Sequence, residues 1–354
     1  MKFGLHFQLP CSAGQSPVQR YRDTLDQAVH AEALGFDSVW PVEQHFNANL
    51  SIMPSPLLML AALAERTHTL RLGIAIVLLP LAHPLRVAEE IATLDVISNG
   101  RVEFGIGRGA VPSHFRGFGV PIAENRDRFV EGLEVIRQAW TSDRFSYHGR
   151  FFDIERISVV PKPVQQPHPP IRVAANSEET FEVSGRMGLP IFVASQVNPF
   201  HRIKRFLPIY REALKAAGHP DTVAEDVTLL MPLYVGESAA QVRREVEPSI
   251  KHFLSTVTSL YGPGTPPPGI SKSDSSARLK ETLERLARMT YEQVSERMAV
   301  FDTHEACVER LRGFQQDYNM GRVICWFNPG GQVPHAQVMR SMELFAAKVM
   351  PHFA

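Results

Sequence analysis

Apolar and polar residues follow two alternating patterns along the whole chain. Short runs rich in apolar and β-branched residues predict eight β-strands, at residues 3–7, 38–42, 72–79, 101–106, 171–175, 191–194, 228–235 and 323–327. Longer runs with helical start and stop signals predict helices, at residues 17–34, 54–67, 83–98, 125–140, 178–186, 200–217, 239–254, 304–318 and 334–349. Alternation of strands with helices is typical of βαβ units and a parallel sheet.

The number of strand–helix units sets the expected architecture. Eight units form a (β/α)8 TIM barrel of the α/β class, which takes about 250 residues and commonly grows by loop insertion. The chain has 354 residues, so a single barrel domain over residues 1–354 with extra loops fits its length. Residues 261–276 break the pattern with a run of glycines and prolines. A turn-rich stretch of this length predicts a mobile lid, at about residues 258–290.

The composition narrows the partners and the compartment. The 37 Lys and Arg residues balance the 37 Asp and Glu residues, so no global charge attracts nucleic acid. No run approaches the roughly eighteen apolar residues of a membrane span, and the first residues lack a secretion signal. The three cysteines, Cys11, Cys307 and Cys325, are too few for a disulfide framework. We therefore expect a cytoplasmic globular protein with no membrane or nucleic-acid partner.

The ends of the predicted strands carry the candidate chemistry, because a (β/α)8 barrel places its reactive groups there. Glu43, Gln44 and His45 follow the second strand and offer a carboxylate, an amide and an imidazole for hydrogen bonding and proton transfer. They are equally explained as hydrogen-bonded polar groups at the rim of the barrel. Several early histidines lie on separate segments without the spacing of metal ligands: His6, His45, His83 and His114. We therefore expect no metal.

A glycine-rich turn follows the fourth predicted strand. Over residues 105–110 the main-chain amides from Gly107 to Ala110 can approach an anion, and Arg108 adds a fixed positive charge. The turn is not a dinucleotide-binding fingerprint, because we expect residues 111–115 to form a loop instead of opening a helix. A tight corner of the barrel explains the glycines equally well.

Short polar residues open the helix after the fifth predicted strand. Ser177 and Thr180 are three residues apart at the helix start, where both can face a phosphate held by free amides and the helix dipole. Ordinary capping by Asn176 or Ser177 is the simpler explanation of this segment alone. The phosphate hypothesis requires Ser177, Thr180 and Arg108 to converge on one ligand.

Short motifs along the chain match one known family in the same order. They are MKFG at 1–4, GFDSVW at 35–40, AHPLR at 82–86, GRVEFGI at 100–106, RG at 108–109, MELF at 342–345 and MP at 350–351. On these motifs the chain resembles the luciferase-like, flavin-dependent monooxygenases, in particular the α subunit of bacterial luciferase. The resemblance implies a barrel that takes reduced FMN (FMNH2) from a separate flavin reductase, forms a flavin C4a-peroxide with O2 and oxidises a small organic substrate.

The resemblance also assigns roles to individual residues. It implies that Arg108, Ser177 and Thr180 hold the FMN phosphate, with Asn176 where the luciferase has a glutamate. It places Ala75-Ile76 at a non-proline cis peptide under the flavin ring. It further implies that the predicted lid shields the reaction from water.

Two departures from the luciferase bear on the reaction. Of two adjacent histidines at the end of the second strand, the first is tied to the luciferase chemistry; here it is Gln44, and the second is kept as His45. The reactive cysteine of the luciferase is replaced by Gly107. Glutamine cannot exchange a proton near pH 7, so we expect a different, largely apolar substrate, with proton transfer left to His45 or solvent. Hydroxylation, Baeyer–Villiger insertion and aldehyde oxidation all stay open.

Two other functions stay open on the same resemblance. The barrel also serves deazaflavin-dependent hydride-transfer oxidoreductases, and a non-catalytic flavin-binding partner subunit would keep the fold. Retention of Arg108, Ser177, Thr180 and His45 argues against the partner subunit.

The helix at 54–67 is apolar nearly all round, so two of its sides must be covered. Together with the helix at 85–98 it is expected to form a homodimer interface.

Overall fold

Eight parallel strands close into a barrel. The computed structural model describes residues 1–260 and 286–354, in which the strands are β1 (Lys2–Phe7), β2 (Ser38–Pro41), β3 (Arg71–Gly73), β4 (Val77–Leu78), β5 (Val102–Gly107), β6 (Phe145–His148), β7 (Asp153–Ile157), β8 (Ile171–Ala174), β9 (Ile191–Ala194), β10 (Thr228–Gly236), β11 (Val300–Thr303) and β12 (Arg322–Trp326). The order around the barrel is β1-β2-β3-β5-β8-β9-β10-β12, and β12 pairs with β1. The predicted (β/α)8 barrel is therefore confirmed.

Helices surround the barrel and pack their apolar stripes on it. They are α1 (Pro17–Ala33), α2 (Pro56–Ala64), α3 (Pro84–Ile97), α4 (Pro112–Gly117), α5 (Asn125–Thr141), α6 (Glu178–Arg186), α7 (Phe200–Ala216), α8 (Asp221–Glu225), α9 (Ala239–Ser259), α10 (Tyr291–Arg297), α11 (His304–Tyr318) and α12 (His335–Lys348). Ser16, Ser177 and Ser238 cap α1, α6 and α9 by accepting a main-chain N–H of the first turn. None of the described helices combines the length and apolar character needed to cross a membrane.

Trp40 fills the middle of the barrel because the two neighbouring strands carry glycine beside it. Its side chain is fully buried, and a Cβ atom on Gly73 of β3 would lie 2.3 Å from the indole ring. On β1, a Cβ atom on Gly4 would lie 2.5 Å from Oγ of Ser38, which accepts a hydrogen bond from Trp40 Nε1 at 2.9 Å. Close packing of the barrel interior therefore depends on the large side chain of Trp40 lying between the two glycines, Gly4 and Gly73.

Glu103 on β5 lies among three arginines at the amino-terminal end of the barrel. Its carboxylate accepts hydrogen bonds from Arg71 at 2.7 Å, Arg172 at 2.8 Å and Arg322 at 2.6 Å. Burial alone would raise the pKa of Glu103, but the charges of Arg172 and Arg322 outweigh it and hold that pKa well below its usual range. Asp37 adds a second carboxylate, 3.1 Å from Arg322. Groups at this end of a (β/α)8 barrel serve stability.

The structure corrects the sequence prediction at three places. The single strand predicted at 72–79 is divided into β3 and β4. Residues 111–115 were expected to form a loop, but Pro112–Gly117 is the short helix α4, since proline is preorganised for the first turn and Phe115 anchors the helix in the core. Strands β6 and β7 form an antiparallel hairpin where no strand was predicted. The predicted lid at 258–290 falls mostly on residues 261–285, which lie outside the described residues.

Candidate active site

Glu43 joins His45 to the neighbouring strand at the carboxyl-terminal end of the barrel. Oε1 of Glu43 lies 2.9 Å from Nε2 of His45, and Oε2 accepts a hydrogen bond from the main-chain N–H of Leu78 at 3.0 Å. Both side chains are largely buried, at 14% and 10% exposure. A carboxylate hydrogen-bonded to one imidazole nitrogen fixes the orientation of the ring. The pair can therefore move a proton at the other nitrogen, Nδ1.

His114 supports His45 from the buried side. The main-chain N–H of His45 donates to Nε2 of His114 at 3.3 Å, and the two rings are perpendicular with centroids 5.3 Å apart. Burial, followed by the charge of His45, lowers the pKa of His114 to about 4. His114 is therefore a neutral acceptor near pH 7. Over residues 1–260 and 286–354, no three His, Cys, Asp or Glu side chains are arranged to hold a metal ion.

Gln44 lies between Glu43 and His45 in the sequence. Its main-chain N–H donates to the carbonyl of Met53 at 2.9 Å, so the backbone is fixed. Its side-chain Oε1 is buried and has no hydrogen-bond partner in the described part of the chain. A buried amide oxygen without a partner costs free energy, which a ligand with an N–H or O–H group would recover.

Arg108, Ser177 and Thr180 converge, as the phosphate hypothesis requires. Nη2 of Arg108 donates to Oγ1 of Thr180 at 3.1 Å, and Oγ of Ser177 lies 2.9 Å from the same oxygen. Ser177 also caps α6 by accepting the main-chain N–H of Thr180 at 3.3 Å. The capping prediction is confirmed, and the same two hydroxyls lie beside a guanidinium. Asn176 immediately precedes the cap, and Ala110 immediately precedes Val111, the N-cap residue of α4.

A second arginine, missed in the sequence, lies beside this cluster. Arg126 at the start of α5 binds the carboxylate of Glu179 at 2.7 Å, and Nη1 of Arg108 lies 3.9 Å from the same carboxylate. Burial lowers the pKa of Arg108, and Glu179 counteracts part of that effect. Two cations therefore share one carboxylate next to a helix N-terminus, which is a setting that binds anions. Arg126 has no local motif that would have marked it.

The segment around residues 75 and 76 lies between the Glu43–His45 pair and the cluster of Arg108, Ser177 and Thr180, which we call the anion cluster. The peptide bond between Ala75 and Ile76 is cis, as expected from the family resemblance. A Cβ atom on Gly107 would lie 2.0 Å from Cδ1 of Ile76 and 3.4 Å from Cβ of Ala174. Since β3 lies between β2 and β5 in the barrel, this segment separates the two polar groups. Gly107 therefore packs directly against the side chain of Ile76, which fills the space that a larger residue at position 107 would need.

A barrel whose carboxyl-terminal face combines an arginine–hydroxyl cluster with a histidine–carboxylate pair has the arrangement of a (β/α)8 enzyme. The sequence profile of the family described as luciferase-like monooxygenase matches residues 1–318. The chain therefore belongs to the luciferase-like monooxygenase family. The resemblance found in the sequence is confirmed over nearly its whole length.

Relatives and solved structures of this family align over almost the full chain. The alkanal monooxygenase alpha chain of the Kryptophanaron alfredi symbiont is 27% identical over 99% of this chain and 98% of its own. The oxygenase component of the flavin-dependent trigonelline monooxygenase of Acinetobacter baylyi is 27% identical over 88% and 93%. The crystal structure of monooxygenase RslO1 from Streptomyces bottropensis superposes with a TM-score of 0.86 at 28% identity, covering all of both chains. The chain is thus a flavin-dependent enzyme of the monooxygenase and oxidoreductase class.

Proposed function

We propose that this chain is the oxygenase component of a two-component FMN-dependent monooxygenase, which uses FMNH2 from a separate reductase and O2 to oxidise a small organic substrate. The convergence of Arg108, Ser177 and Thr180 carries the proposal. One guanidinium and two hydroxyls at the start of a helix match the charge and the hydrogen-bonding capacity of a phosphate. Arg126 adds a second positive charge, and Glu179, which both arginines contact, is half-exposed.

The residues around the cis peptide fit the flat part of the same cofactor. Ala75, Ile76 and Gly107 lie between the anion cluster and the Glu43–His45 pair, and the cis peptide Ala75-Ile76 is where the family resemblance puts the flavin ring. A phosphate group and a planar ring are the two parts that distinguish FMN from a simple anion. When bound, reduced FMN supplies the two electrons that activate O2, so that one oxygen atom enters the substrate and the other leaves as water.

The chain's own residues would orient the substrate and handle its protons. Glu43 holds Nε2 of His45, so Nδ1 of His45 is the atom that takes a proton from the substrate or returns it. Oε1 of Gln44 accepts a hydrogen bond from the substrate or from the ring, which gives this buried atom the partner it lacks among the described residues. His114 keeps the main chain of His45 in place without adding a charge.

The first test separates cofactor binding from chemistry. Purified protein is titrated without oxygen with FMNH2 and with reduced riboflavin, which lacks the phosphate. We expect FMNH2 to bind at least about tenfold more tightly, because charged hydrogen bonds to the phosphate are lost with riboflavin. Turnover under ¹⁸O2 with a panel of aromatic and aliphatic substrates should then place one labelled atom in the product. Oxygen-independent turnover with a reduced deazaflavin would instead establish hydride transfer.

Binding of FMNH2 without turnover of any substrate would favour the partner-subunit alternative. Variants at the Glu43–His45 pair distinguish this outcome from an unsuitable substrate panel. We expect His45→Ala to lower kcat by about 10²–10⁴-fold, the usual contribution of a general acid or base, while the affinity for FMNH2 is retained. Glu43→Gln keeps the shape of the side chain but removes its charge, so its smaller loss of kcat should come with a changed pH profile.

We also propose that the enzyme is a homodimer through α2 and α3. Leu58 on α2 is 74% exposed, and Val96 and Ile97 on α3 are each 45% exposed. The opposite face of α2 is buried, with Met59, Leu60 and Leu63 in the core of the barrel protein. The two helices pack on each other, so exposed apolar side chains lie on neighbouring helices, where a two-fold contact between copies would cover them.

A further inference from the structure

Phe46 and Phe118 extend the two imidazoles of His45 and His114 into a cluster of four aromatic rings. The ring of Phe118 is edge-on to His45, with centroids 4.8 Å apart. Phe46 lies 5.6 Å from His45 and 5.5 Å from Phe118, and it meets His114 edge-on at 6.4 Å. All these distances lie in the range at which aromatic rings attract one another. The cluster joins the loop after β2 to the end of α4, which follows β5.

The inner half of the cluster is buried and the outer half is open. His45 and His114 are 9% and 2% exposed, whereas Phe46 and Phe118 are 65% and 44% exposed. We call the two phenylalanines the aromatic lip. A pair of exposed aromatic rings in direct contact with a histidine of the active site provides apolar surface where a ligand would meet that histidine.

The backbone fixes the position of the lip. Phe46 has φ 59°, in the left-handed region that a bulky side chain seldom adopts. Its ring lies against the backbone of Gly117, where a Cβ atom would be 2.2 Å from Cε2 of Phe46. The ring of Phe46 therefore packs on Gly117, because the Cβ atom of any other residue at position 117 would push the ring away. Most of the remaining surface of the ring faces solvent.

We propose that the aromatic lip is the recognition surface for a flat aromatic ring of the organic substrate, and that Phe46 and Phe118 thereby determine the substrate class. The proposal rests on the proposed function, since it deepens the assignment of the same site. A ring seated on Phe46 and Phe118 would be a fifth member of the cluster, with the same offset and edge-on contacts. It would also lie next to His45, whose Nδ1 is the proton-transfer atom proposed above.

An aromatic occupant explains the surface better than an alkyl chain or a second copy of the protein. An alkyl chain would gain from apolar contact alone, whereas a ring gains in addition from the quadrupoles of Phe46, Phe118 and His45. For a second copy we have proposed a different surface, on α2 and α3, where Leu58 is 74% exposed. We therefore assign the aromatic lip to the organic substrate.

The test uses a matched pair of probes, 2-naphthol and the saturated decahydro-2-naphthol. Their affinities are measured by ligand-observed NMR for the 354-residue wild-type chain and for the double variant Phe46→Leu, Phe118→Leu, which keeps the apolar surface and removes both rings. Val160→Ala, at a 69% exposed residue away from the strand ends, is the control. We expect the wild type and the control to prefer 2-naphthol by about tenfold and the double variant by less than about twofold.

Binding of FMNH2 by the same samples separates this proposal from the proposed function. Equal affinity for the two probes, or a preference that survives in the double variant, would overturn the lip assignment even where FMNH2 binds as expected. A preference for 2-naphthol that disappears in the double variant supports the assignment of the lip. If the same protein shows that preference but does not bind FMNH2, only the proposed cofactor is overturned. A change in assembly mass in the double variant would make the lip a contact between copies and would also overturn the assignment.

Discussion

Arg108 donates from Nη2 to Oγ1 of Thr180 at 3.1 Å, and this bond ties the turn after β5 to the first turn of α6. Arg108→Ala should weaken the affinity for FMNH2 by about 10- to 100-fold, because hydrogen bonds between charged groups contribute about 1.5–3 kcal/mol each. The affinity for reduced riboflavin should not change, since that ligand has no phosphate. Anaerobic fluorescence titration measures both. Arg137→Ala, at an exposed arginine of α5, is the control, and an equal loss for both ligands would contradict the assignment.

Gly105 and Gly107 on β5 should tolerate alanine very differently. A Cβ atom on Gly105 would lie 1.9 Å from the carbonyl oxygen of Ile74, which is backbone and cannot move away. On Gly107 the close atom is Cδ1 of Ile76, the end of a flexible side chain. We expect Gly105→Ala to lower the free energy of unfolding by about 3 kcal/mol or to prevent folding, and Gly107→Ala to cost less than about 1.5 kcal/mol. Urea unfolding compares them, and similar values would refute the difference.

Glu103→Gln should be one of the most destabilising conservative changes in the chain. The variant leaves Arg172 and Arg322 buried without their carboxylate, which typically costs about 3–5 kcal/mol. Glu90→Gln removes an exposed carboxylate paired with Arg86 and should change stability by less than about 1 kcal/mol. Urea unfolding near neutral pH measures both. A small effect of Glu103→Gln would mean that the arginines find other partners.

Acidification should destabilise the protein partly through His114. Its pKa is lowered from 6.5 to about 4, so between these values the unfolded chain binds a proton that the folded chain refuses. The stability is therefore intact above about pH 6.5 and falls by up to about 3 kcal/mol as the pH drops to about 4. His114→Asn keeps an acceptor for the N–H of His45 and removes this titration. Its free energy of unfolding should fall less steeply over the same range, although the lowered pKa of His6, about 3, acts in both proteins.

His148 provides a comparison of opposite sign. Its hydrogen bond with Asp153 raises the pKa of this exposed imidazole, so its contribution to stability is present at low pH and is lost as the pH rises. His148→Asn should therefore steepen the loss of stability on acidification, whereas His114→Asn should flatten it. Changes of the same sign in the two variants would show that overall charge governs the acid response.

Leu58→Glu should convert a dimer into a monomer. The substitution places a charge in the centre of the apolar surface on α2, where a desolvated and unpaired carboxylate would oppose association. Val18→Glu, at a 60% exposed residue of α1, should leave the assembly unchanged. Sedimentation velocity at micromolar concentration measures the mass of each protein. A wild-type monomer under these conditions would refute the proposed homodimer.

The strands and helices were predictable because the barrel makes strong local demands on sequence. Strand β10 is buried over its whole length, so it appears as a continuous apolar run. Helices α6 and α11 begin and end at the predicted residues, and Ser177 caps the first of them. The members of the anion cluster were also predictable, since Arg108 immediately follows β5 and Ser177 lies three residues after the end of β8.

The residues around His45 were harder to predict, because their roles depend on contacts between distant segments. His114 is 69 positions from His45, and only the closed barrel brings its imidazole to the main chain of His45. The aromatic lip likewise combines the loop after β2 with α4, a helix that sequence reasoning treated as a loop. Arg126 lies in a helix with many charged residues and acquires its place only through Glu179. No local spacing distinguishes such residues from ordinary surface or core positions.

The arginines around Glu103 have a consequence for how this enzyme can change. They stabilise the amino-terminal end of the barrel, while the lip, Gln44 and the anion cluster all lie at the opposite end. Substitutions at the mouth therefore leave the main electrostatic support of the fold untouched, and their effects on stability should add independently to it. Such an arrangement favours evolvability, since new substrate preferences can arise at Phe46 or Phe118 without a matching repair elsewhere. The amino-terminal end of the barrel can therefore stay constant while the residues at its carboxyl-terminal end change.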